Sequence, residues 1–238
     1  MNHRLLNENW LKLKENVYPG RGIVIGMTPS RQHYVQVYWI MGRSENSRNR
    51  VFAREGDFVK NKAFDETKMT DPSLIIYYPL KKTGPYHIVS NGDQTETIMD
   101  GLMNNQTFES SLFTREYEPD APHFTPRISG VIDTAQQNYK LSILKSSRNR
   151  PEICVRNFFN FNRFVPGEGH CIHTYQDEAD GTLLSFYGEP FEVSLFDDIE
   201  EVKDYYWQTL NPENRISLLV KFIDAISAEE RISIINKR

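Results

Sequence analysis

Hydrophobic residues alternate with polar ones, or run together in short blocks, along most of the chain, and both patterns are typical of β-strands. The segments "GIVIGM" (22–27) and "YVQVYWIM" (34–41) flank the turn-forming "TPSRQH", so they predict a β-hairpin. Further strands are predicted at 74–80 and 86–90, and Pro79 favours an edge position or a bulge for the first of them. Later blocks predict strands in "RISGVI", "YKLSIL", "EICV", "HCIHTY" and "FEVSL".

A helical period replaces the strand pattern in three regions. Residues 4–17 predict a short amphipathic helix. After the turn at Asn91-Gly92, Asp93 and Glu96 fit a capping box ahead of an apolar helical stripe. From Asp197 onward the pattern predicts three helices, in "DDIEEVKDYYWQTL", "NPENRISLLVKFIDAI" and "SAEERISIINKR".

The order of these elements indicates the fold class. Many short strands, one central helix and a helical C-terminal end predict an α+β protein with two layers of strands. No Gly-, Ser- or Pro-rich linker interrupts the chain, so a single domain is predicted. The tetrapeptide "SRNR" at 47–50 recurs at 147–150, but four residues are too short to indicate a structural repeat.

Composition and charge exclude several classes of protein. The 238 residues carry a formal net charge of -4, which argues against a broad nucleic-acid-binding face. Cys154 and Cys171 are the two cysteines, so no disulfide framework is predicted. The chain has no run of about 18 apolar residues and no signal-type N-terminus. We therefore expect a cytoplasmic protein that binds neither membrane nor nucleic acid.

Against this acidic background, "MGRSENSRNRVFAR" (41–54) concentrates arginines directly after a predicted strand. It holds Arg43, Arg48, Arg50 and Arg54 and a single acidic residue. Guanidinium groups present paired donors that match phosphate oxygens and stay charged at any relevant pH. The segment predicts a local anion site, with a solvated polar loop as the alternative.

Two further segments carry candidate chemistry. In "EYEPDAPHFTPRI" (116–128), Glu118 and neighbouring acids precede a proline-stiffened approach to Arg127, a pairing that can serve acid/base and oxyanion roles. An ordinary surface turn with an ion pair is the alternative. In "SNGDQTE", Asn91 and Gly92 precede a helix start and could offer backbone N–H groups to an anion or a carbonyl, although Asn-Gly commonly only makes a turn.

Two other motifs are interpreted as structural. "GHCIHTY" places Cys171 and His173 on one strand face and His170 on the other, without a second ligand pair, so no metal site is predicted. "RNFFNFNRF" interleaves basic and aromatic residues as single-strand RNA readers do, but it lacks their glycines. Core aromatics beside a polar edge explain it better.

Taken in order, these segments resemble the archaeal-type inosine monophosphate (IMP) cyclohydrolase family. The resemblance covers roughly residues 18–195. It is carried by Tyr18, Gly20, Arg21 and Gly26 in "YPGRGIVIG", by Arg43, Ser44, Asn49 and Arg50 in "GRSENSRNR", and by "SNGDQTETI", "YEPDAPHFTPRISGV" and "TYQDEADGTLLSFYGEP". The Asn-Gly block followed by the Thr-Pro-Arg-Ile block is the specific part.

The resemblance implies a four-layer αββα sandwich of the N-terminal-nucleophile hydrolase type with extra C-terminal helices. On this interpretation residues 1–17 are an N-terminal helical extension, 18–196 the αββα domain, and 197–238 a C-terminal helical extension packed on that domain. The implied reaction closes the purine ring of 5-formamidoimidazole-4-carboxamide ribotide (FAICAR) to give IMP and water, without a metal or an organic cofactor. The implied partners are this small ribotide and further copies of the chain in a homo-oligomer.

The resemblance also implies residue roles. Arg43 would contact the formyl oxygen or the phosphate, Glu118 would be the carboxylate, and Tyr78 would donate to the departing hydroxyl. Tyr77 is the alternative to Tyr78 if the register shifts by one residue. The implied substrate-binding residues are Arg21 and Arg50 for the phosphate, Asn91 and Gly92 for the base moiety, and Arg127 as an anchor for substrate or for a carboxylate.

One feature fits the implied cyclisation, and two others depart from the family's pattern. Hydrolases of this fold use an N-terminal Thr, Ser or Cys, whereas this chain begins Met1-Asn2-His3, so we expect cyclisation and not hydrolysis by such a nucleophile. Pro79-Leu80 stands where the family has Asn-Cys, and the spacer between Arg43 and Arg50 is longer. A non-catalytic nucleotide-binding paralogue and a different amide-acting enzyme on the same scaffold are the alternatives.

Overall fold

The computed structural model describes residues 3–56, 58–69, 75–148, 150–179 and 182–238, and in this part of the chain antiparallel strands predominate. The helices are α1 (His3–Glu15), α2 (Glu45–Arg48), α3 (Gln94–Met103), α4 (Phe108–Ser111) and α5 (Ile199–Thr209). The strands are β1 (Gly22–Met27), β2 (His33–Met41), β3 (Arg50–Glu55), β4 (Phe58–Ala63), β5 (Leu80–Thr83), β6 (Tyr86–Ser90), β7 (Arg127–Asp133), β8 (Asn138–Ser147), β9 (Arg150–Phe161), β10 (Glu168–His173), β11 (Tyr175–Ala179), β12 (Thr182–Ser185), β13 (Phe191–Ser194), β14 (Arg215–Asp224) and β15 (Glu230–Asn236).

Most strands belong to two antiparallel sheets. The first has six strands in the order β13-β10-β1-β2-β14-β15, and the second has five in the order β5-β6-β7-β8-β9. The predicted hairpin of β1 and β2 is confirmed, with Gly22 opposite Trp39 and Met27 opposite Tyr34. Two short ribbons, β3-β4 and β11-β12, lie outside these sheets.

The two sheets pack face to face through a shared hydrophobic core. Ile23 and Tyr38 of the six-stranded sheet meet Ile128 and Leu141 of the five-stranded sheet there, and all four side chains are buried. Because side chains alternate along each strand, the opposite face of each sheet is left to be covered by helices.

Helices cover both outer faces. Leu13 of α1 and Tyr206 of α5 pack with Trp39 on the six-stranded sheet. On the five-stranded sheet, Ile98 of α3 packs with Ile88, in a cluster that also contains residues of α4. The packing order is therefore helices, sheet, sheet, helices, and the α+β class predicted from the sequence is confirmed.

The predicted C-terminal helices are wrong beyond α5. The segments 215–224 and 230–236 are instead strands β14 and β15, and β14 lies between β2 and β15 inside the six-stranded sheet. Every residue from 216 to 223 is buried, because helices cover one face of β14 and the second sheet covers the other. A strand buried on both faces shows an unbroken apolar run, which periodicity alone does not distinguish from a buried helix.

Two smaller predictions also fail. The strand predicted at 74–80 begins only at Leu80, because residue 77 makes an isolated bridge to Asn61 instead, while residue 74 lies outside the described residues. Asp93 occupies the N-cap position of α3 with helical dihedrals, φ -67 and ψ -10, and its carboxylate makes no capping hydrogen bond. That carboxylate instead binds Arg115 and Arg127.

The structure also answers two questions about disulfide bonds and membrane-spanning helices. Cys154 and Cys171 are both free thiols. Among the helices that the structure describes, none combines the length and the apolar character needed to cross a bilayer.

Candidate functional site

Several strand ends meet at one edge of the stacked sheets, and the residues singled out from the sequence gather there. Arg21 directly precedes β1, whose first residue, Gly22, pairs with Trp39 near the end of β2. In the other sheet, Ser90 at the end of β6 pairs with Ser129 near the start of β7. Arg43 therefore follows β2 at the same edge at which Arg127 begins β7.

The centre of this edge is a buried pair of opposite charges. The Nη2 atom of Arg21 lies 3.8 Å from the Oε2 atom of Glu118, and Glu118 is only 2% exposed. Burial raises the pKa of the Glu118 carboxyl above its usual value, while Arg21, Arg127 and Arg50 act to lower it. Burial acts to lower the pKa of Arg21, but Glu118 and nearby tyrosines outweigh it and raise that pKa. A buried carboxyl with guanidinium groups around it is suited to exchanging a proton with a bound ligand.

Two buried tyrosines lie beside this pair. The hydroxyls of Tyr38 and Tyr77 are 2.7 Å apart, and both rings are buried in the core between the sheets. Burial raises the pKa of Tyr77, which Arg50 and Arg21 act to lower. Tyr77 is therefore a neutral hydroxyl next to two guanidinium groups, able to donate or accept a proton in a hydrogen bond.

Tyr78, the predicted catalytic tyrosine, lies outside this cluster. Its hydroxyl is 3.5 Å from Oε2 of Glu55, and the Nζ atom of Lys81 lies 4.4 Å from its ring centroid. Burial alternates along this segment, with Ile75 and Tyr77 buried, Ile76 exposed and Tyr78 half-buried, so the two adjacent tyrosines lie on opposite sides of the chain. The structure places Tyr77, the register alternative, in the cluster instead.

Of the arginines in the segment 41–54, some lie at the site and others point away from it. Arg50 is buried, donating from Nε to the Ser47 carbonyl at 2.8 Å and from Nη2 to the Met41 carbonyl at 3.3 Å. Burial, and then the nearby charge of Arg21, lower the pKa of Arg50. Arg54, by contrast, donates to the Gly56 carbonyl at the exposed tip of the β3-β4 ribbon. The dense run of arginines thus contributes only in part to the site.

Arg43 joins the site through an aromatic stack. Its guanidinium carbon lies 4.8 Å from the centroid of the Tyr18 ring, and Tyr18 stacks on Tyr175 with centroids 5.9 Å apart. Both tyrosines also contribute to the electrostatic environment of Arg21. Arg43 and Arg21 are therefore both neighbours of this pair of tyrosines.

Asn91 and Gly92 position Arg127. The Asn91 side chain accepts from the Ile128 backbone N–H and donates to the Pro126 carbonyl, both at 2.9 Å, which ties the turn before α3 to β7. The Nη1 atom of Arg127 donates to Asp93 and to Gln94, both at 2.7 Å. A Cβ atom on Gly92 would lie 2.6 Å from that nitrogen, so only glycine permits this approach.

Several residues of the site were not predicted from the sequence. The Oγ1 atom of Thr125 lies 2.7 Å from the Tyr175 hydroxyl, and the Thr125 backbone N–H donates to Asp120 at 2.7 Å. Tyr38 was interpreted only as part of a strand. The signal available for Tyr175 and Thr125 was their place within the resembling segments, and none existed for Tyr38 beyond its alternation in β2.

A cavity of about 560 Å³ lies next to Thr125 and Tyr175, but none of the site residues predicted from the sequence forms part of its wall. Phe124 and Gln176, which directly precede and follow the hydrogen-bonded Thr125 and Tyr175, form part of its wall. Phe124 has φ 43, a left-handed conformation that is uncommon for a bulky residue. The volume lies within the range of about 300–1,000 Å³ typical of small-molecule sites.

The donors of the "GHCIHTY" segment are directed to different partners. The Nδ1 atom of His170 lies 2.6 Å from the Tyr139 hydroxyl, and that of His173 lies 3.0 Å from the Tyr175 carbonyl. Cys171 packs in the core under α5, where burial raises the pKa of its thiol well above the usual value. Within the described ranges, no three His, Cys, Asp or Glu side chains are grouped so that they could hold a metal ion.

Comparison with known proteins bears on the family of the chain. No curated protein matches the chain. A model of the family described as IMP cyclohydrolase-like protein matches residues 18–228, from the tyrosine that stacks under Arg43 to the turn after β14. The match extends past the end of the resembling segments and includes α5 and β14. The chain therefore belongs to the IMP cyclohydrolase-like protein family.

Proposed function

We propose that this chain closes the purine ring of FAICAR to form IMP and water, at the edge where Arg21, Tyr77 and Glu118 meet. The observation that carries the proposal is the buried Arg21–Glu118 pair, 3.8 Å apart, in a chain of this family. A buried carboxyl with a raised pKa beside guanidinium groups is an arrangement suited to moving protons while stabilising a negative oxygen.

Ring closure has defined chemical demands. The carboxamide nitrogen attacks the formyl carbon, so a C–N bond forms and the formyl C=O becomes a carbinol C–O. The attacking nitrogen must lose a proton as it attacks, and the new oxyanion must gain one. The hydroxyl then leaves as water, and the former formamide nitrogen gives up its proton as the ring C=N bond forms. Because the reacting atoms belong to one molecule, the protein has to fold and orient them and move protons.

Glu118 is proposed as the group that accepts the carboxamide proton. It is withdrawn from water, and Arg21 and Arg127 keep an ionised fraction available for proton acceptance. Arg21, which is held charged, is proposed to stabilise the developing oxyanion, a contribution of about 3–4 kcal/mol for one well-placed donor.

Tyr77 is proposed as the donor to the departing hydroxyl. Its hydroxyl is neutral and lies within hydrogen-bond distance of Tyr38, which lets the pair pass a proton between oxygens 2.7 Å apart. Tyr78 has no part in this proposal, because its hydroxyl faces Glu55.

The other predicted residues are proposed to bind the ribotide. Arg43, stacked on Tyr18, is proposed to contact the formyl oxygen or the phosphate, and Arg50 the phosphate. Arg127 is proposed to hold the Glu118 carboxylate, on which it acts electrostatically. Gly92 is proposed to leave room for the Arg127 guanidinium. The Asn91 side chain is fully engaged with the backbone of β7, so its proposed role is to position this turn.

The packing order of helices, sheet, sheet and helices supports the further proposal that the fold is of the N-terminal-nucleophile hydrolase type. We further propose that the protein is a cytoplasmic homo-oligomer. It is proposed to need neither a metal nor an organic cofactor and to bind neither membrane nor nucleic acid. The internal engagement of Asn91 favours one competing function, a purine-nucleotide-binding paralogue without turnover.

The experiment incubates the purified full chain with FAICAR and follows the ultraviolet spectrum for purine formation. Saturable conversion that Glu118→Gln abolishes and Glu116→Gln leaves intact would support the proposal, since Glu116 is a nearby exposed carboxylate. Binding of IMP without any conversion of FAICAR would overturn it in favour of the paralogue.

A further inference from the structure

A second, smaller cavity lies next to Arg50, and the side chains that line it are mostly positively charged. Its volume is about 90 Å³. Its charged lining within the described chain consists of Arg48, Arg50, Arg215, Lys237, Arg238 and a single carboxylate, Glu213. These side chains come from α2, β3, β14 and the C-terminus, so the fold brings together cations that are distant in sequence.

The cations are held in place by neutral groups. Arg48 donates from Nε to the Gly42 carbonyl at 3.0 Å, and Lys237 donates from Nζ to the Pro212 carbonyl at 2.7 Å. Arg215 donates to the Trp207 carbonyl and lies over the Trp207 ring. In the part of the chain that the structure describes, none of the five has a carboxylate oxygen within 4.0 Å. Arg48, Arg50, Arg215 and Lys237 are therefore bonded to neutral groups, and no side-chain carboxylate of the described residues neutralises their charges.

Among these cations, Arg50 is the one whose charge is buried, and burying a charge costs free energy. Its side chain is 2% exposed, and both of its hydrogen bonds go to backbone carbonyls. A buried charge without a counter-ion carries an uncompensated desolvation penalty, which a bound anion would relieve. The nearby charge of Arg21 adds to that penalty.

We propose that this cavity binds a phosphate dianion. Guanidinium and ammonium donors on several sides match the oxygens of a tetrahedral anion, and guanidinium retains its charge at any relevant pH. The volume of about 90 Å³ admits one such group and is well below the about 300 Å³ at which nucleoside-sized sites begin. The anion is either free phosphate or the phosphate group of a bound ribotide. Arg50 also has a role in the proposed function, as a ligand of the ribotide phosphate, whereas Arg48, Arg215, Lys237 and Arg238 have none, so phosphate binding here can be tested without ring closure.

The test is isothermal titration of the full chain with inorganic phosphate at constant ionic strength. Wild type is expected to bind one equivalent. The double variant Arg215→Gln/Lys237→Gln is expected to bind at least about tenfold more weakly, because it loses two charge-assisted hydrogen bonds. Lys12→Gln/Arg163→Gln removes the same charge from two exposed positions outside the cavity and is expected to bind as wild type does.

A charge-preserving variant guards against a folding defect. Arg215→Lys/Lys237→Arg keeps both cations and is expected to retain phosphate affinity within about threefold of wild type. Absence of saturable phosphate binding by wild type, or an equal loss in the Lys12→Gln/Arg163→Gln control, would overturn the proposal.

A second titration identifies the source of the anion. If saturating phosphate weakens IMP binding competitively, the cavity holds the ribotide's own phosphate group. If IMP binds equally well with phosphate present, the cavity is a separate site for free phosphate. Either result supports the phosphate site, whereas the FAICAR conversion assay independently decides the proposed function.

Discussion

The Nη2 atom of Arg21 lies 3.8 Å from the Oε2 atom of Glu118, and this contact joins the start of β1 to the loop that leads into β7. Both side chains are largely withdrawn from water, with relative exposures of 12% and 3%. Removing one partner of such a pair leaves the other charge buried and uncompensated, so their effects should be strongly coupled.

Glu118→Gln is expected to lower kcat/KM for FAICAR by at least about 100-fold, equivalent to about 2.7 kcal/mol of transition-state stabilisation. Glutamine keeps the shape of the side chain but does not accept the carboxamide proton. Steady-state kinetics measure the effect. Glu116→Gln, at an exposed carboxylate, is the matched control, and near-normal kinetics in Glu118→Gln would remove Glu118 from the catalytic account.

The two adjacent tyrosines give a sharper comparison. Tyr77→Phe is expected to lower kcat by about 10²–10⁴-fold, the usual range for loss of a proton-transfer group, while Tyr78→Phe stays within about twofold of wild type. The reason is placement, since the Tyr77 hydroxyl faces Tyr38 at 2.7 Å and the Tyr78 hydroxyl faces Glu55. Kinetics of the two variants side by side decide the matter, and the reverse pattern would restore Tyr78 as the catalytic tyrosine.

Gly92→Ala is expected to destabilise the fold by about 1–3 kcal/mol, because the new Cβ would lie 2.6 Å from Nη1 of Arg127. Urea unfolding measures the loss. Arg127→Met removes one of the two atoms that the new Cβ would meet, the other being Oε1 of Gln94 at 2.7 Å, so Gly92→Ala should cost less in the Arg127→Met background than in wild type. Additive losses in that cycle would show that the two residues are not in contact.

The burial of His173 leads us to expect that the stability of the fold depends on pH. Burial lowers its pKa to about 4, and its Nδ1 atom lies 3.0 Å from the Tyr175 carbonyl. The unfolded value is about 6.5, so the unfolded chain takes up a proton first as the pH falls. The contribution of His173 to the free energy of unfolding is therefore fully present above pH about 6.5 and is lost as the pH falls towards about 4. At pH about 5 the loss should be roughly 2 kcal/mol.

Urea unfolding at pH about 7.5 and about 5 measures this decline. His173→Gln keeps an N–H donor without a titrating group, so its loss between the two pH values should be smaller than that of wild type by that amount. His123→Gln, at an exposed histidine, is the control and should behave as wild type does. An unchanged pH dependence in His173→Gln would show that His173 carries no such linkage.

Local patterns predicted the parts of the fold that depend on local forces. The β1-β2 hairpin follows from a turn between two strand-like segments, and α3 from its apolar stripe. β14 was misassigned because its burial on both faces, a tertiary effect, produces the same apolar run as a buried helix. The capping box at Asp93 failed because the carboxylate finds stronger partners in Arg115 and Arg127, which are distant in sequence.

The candidate site divides in the same way. Arg21, Glu118 and Arg127 were predicted from residue type and resemblance, and the structure places them at one edge. The choice between Tyr77 and Tyr78 was not decidable from periodicity, because "LIIYYPL" (74–80) has no polar residue to show which side of the chain faces the core. The cationic cavity was not predicted either, since three of its five cations come from β14 and the C-terminus, which had been assigned to helices.

The most direct test of the central proposal is a structure of the chain with bound IMP. The account predicts that the purine carbon derived from the formyl group lies within about 4 Å of the Glu118 carboxylate and the Tyr77 hydroxyl, with Arg21 in the same contact shell. IMP bound at another edge of the sheets, with Arg21 and Glu118 still paired and untouched, would contradict it.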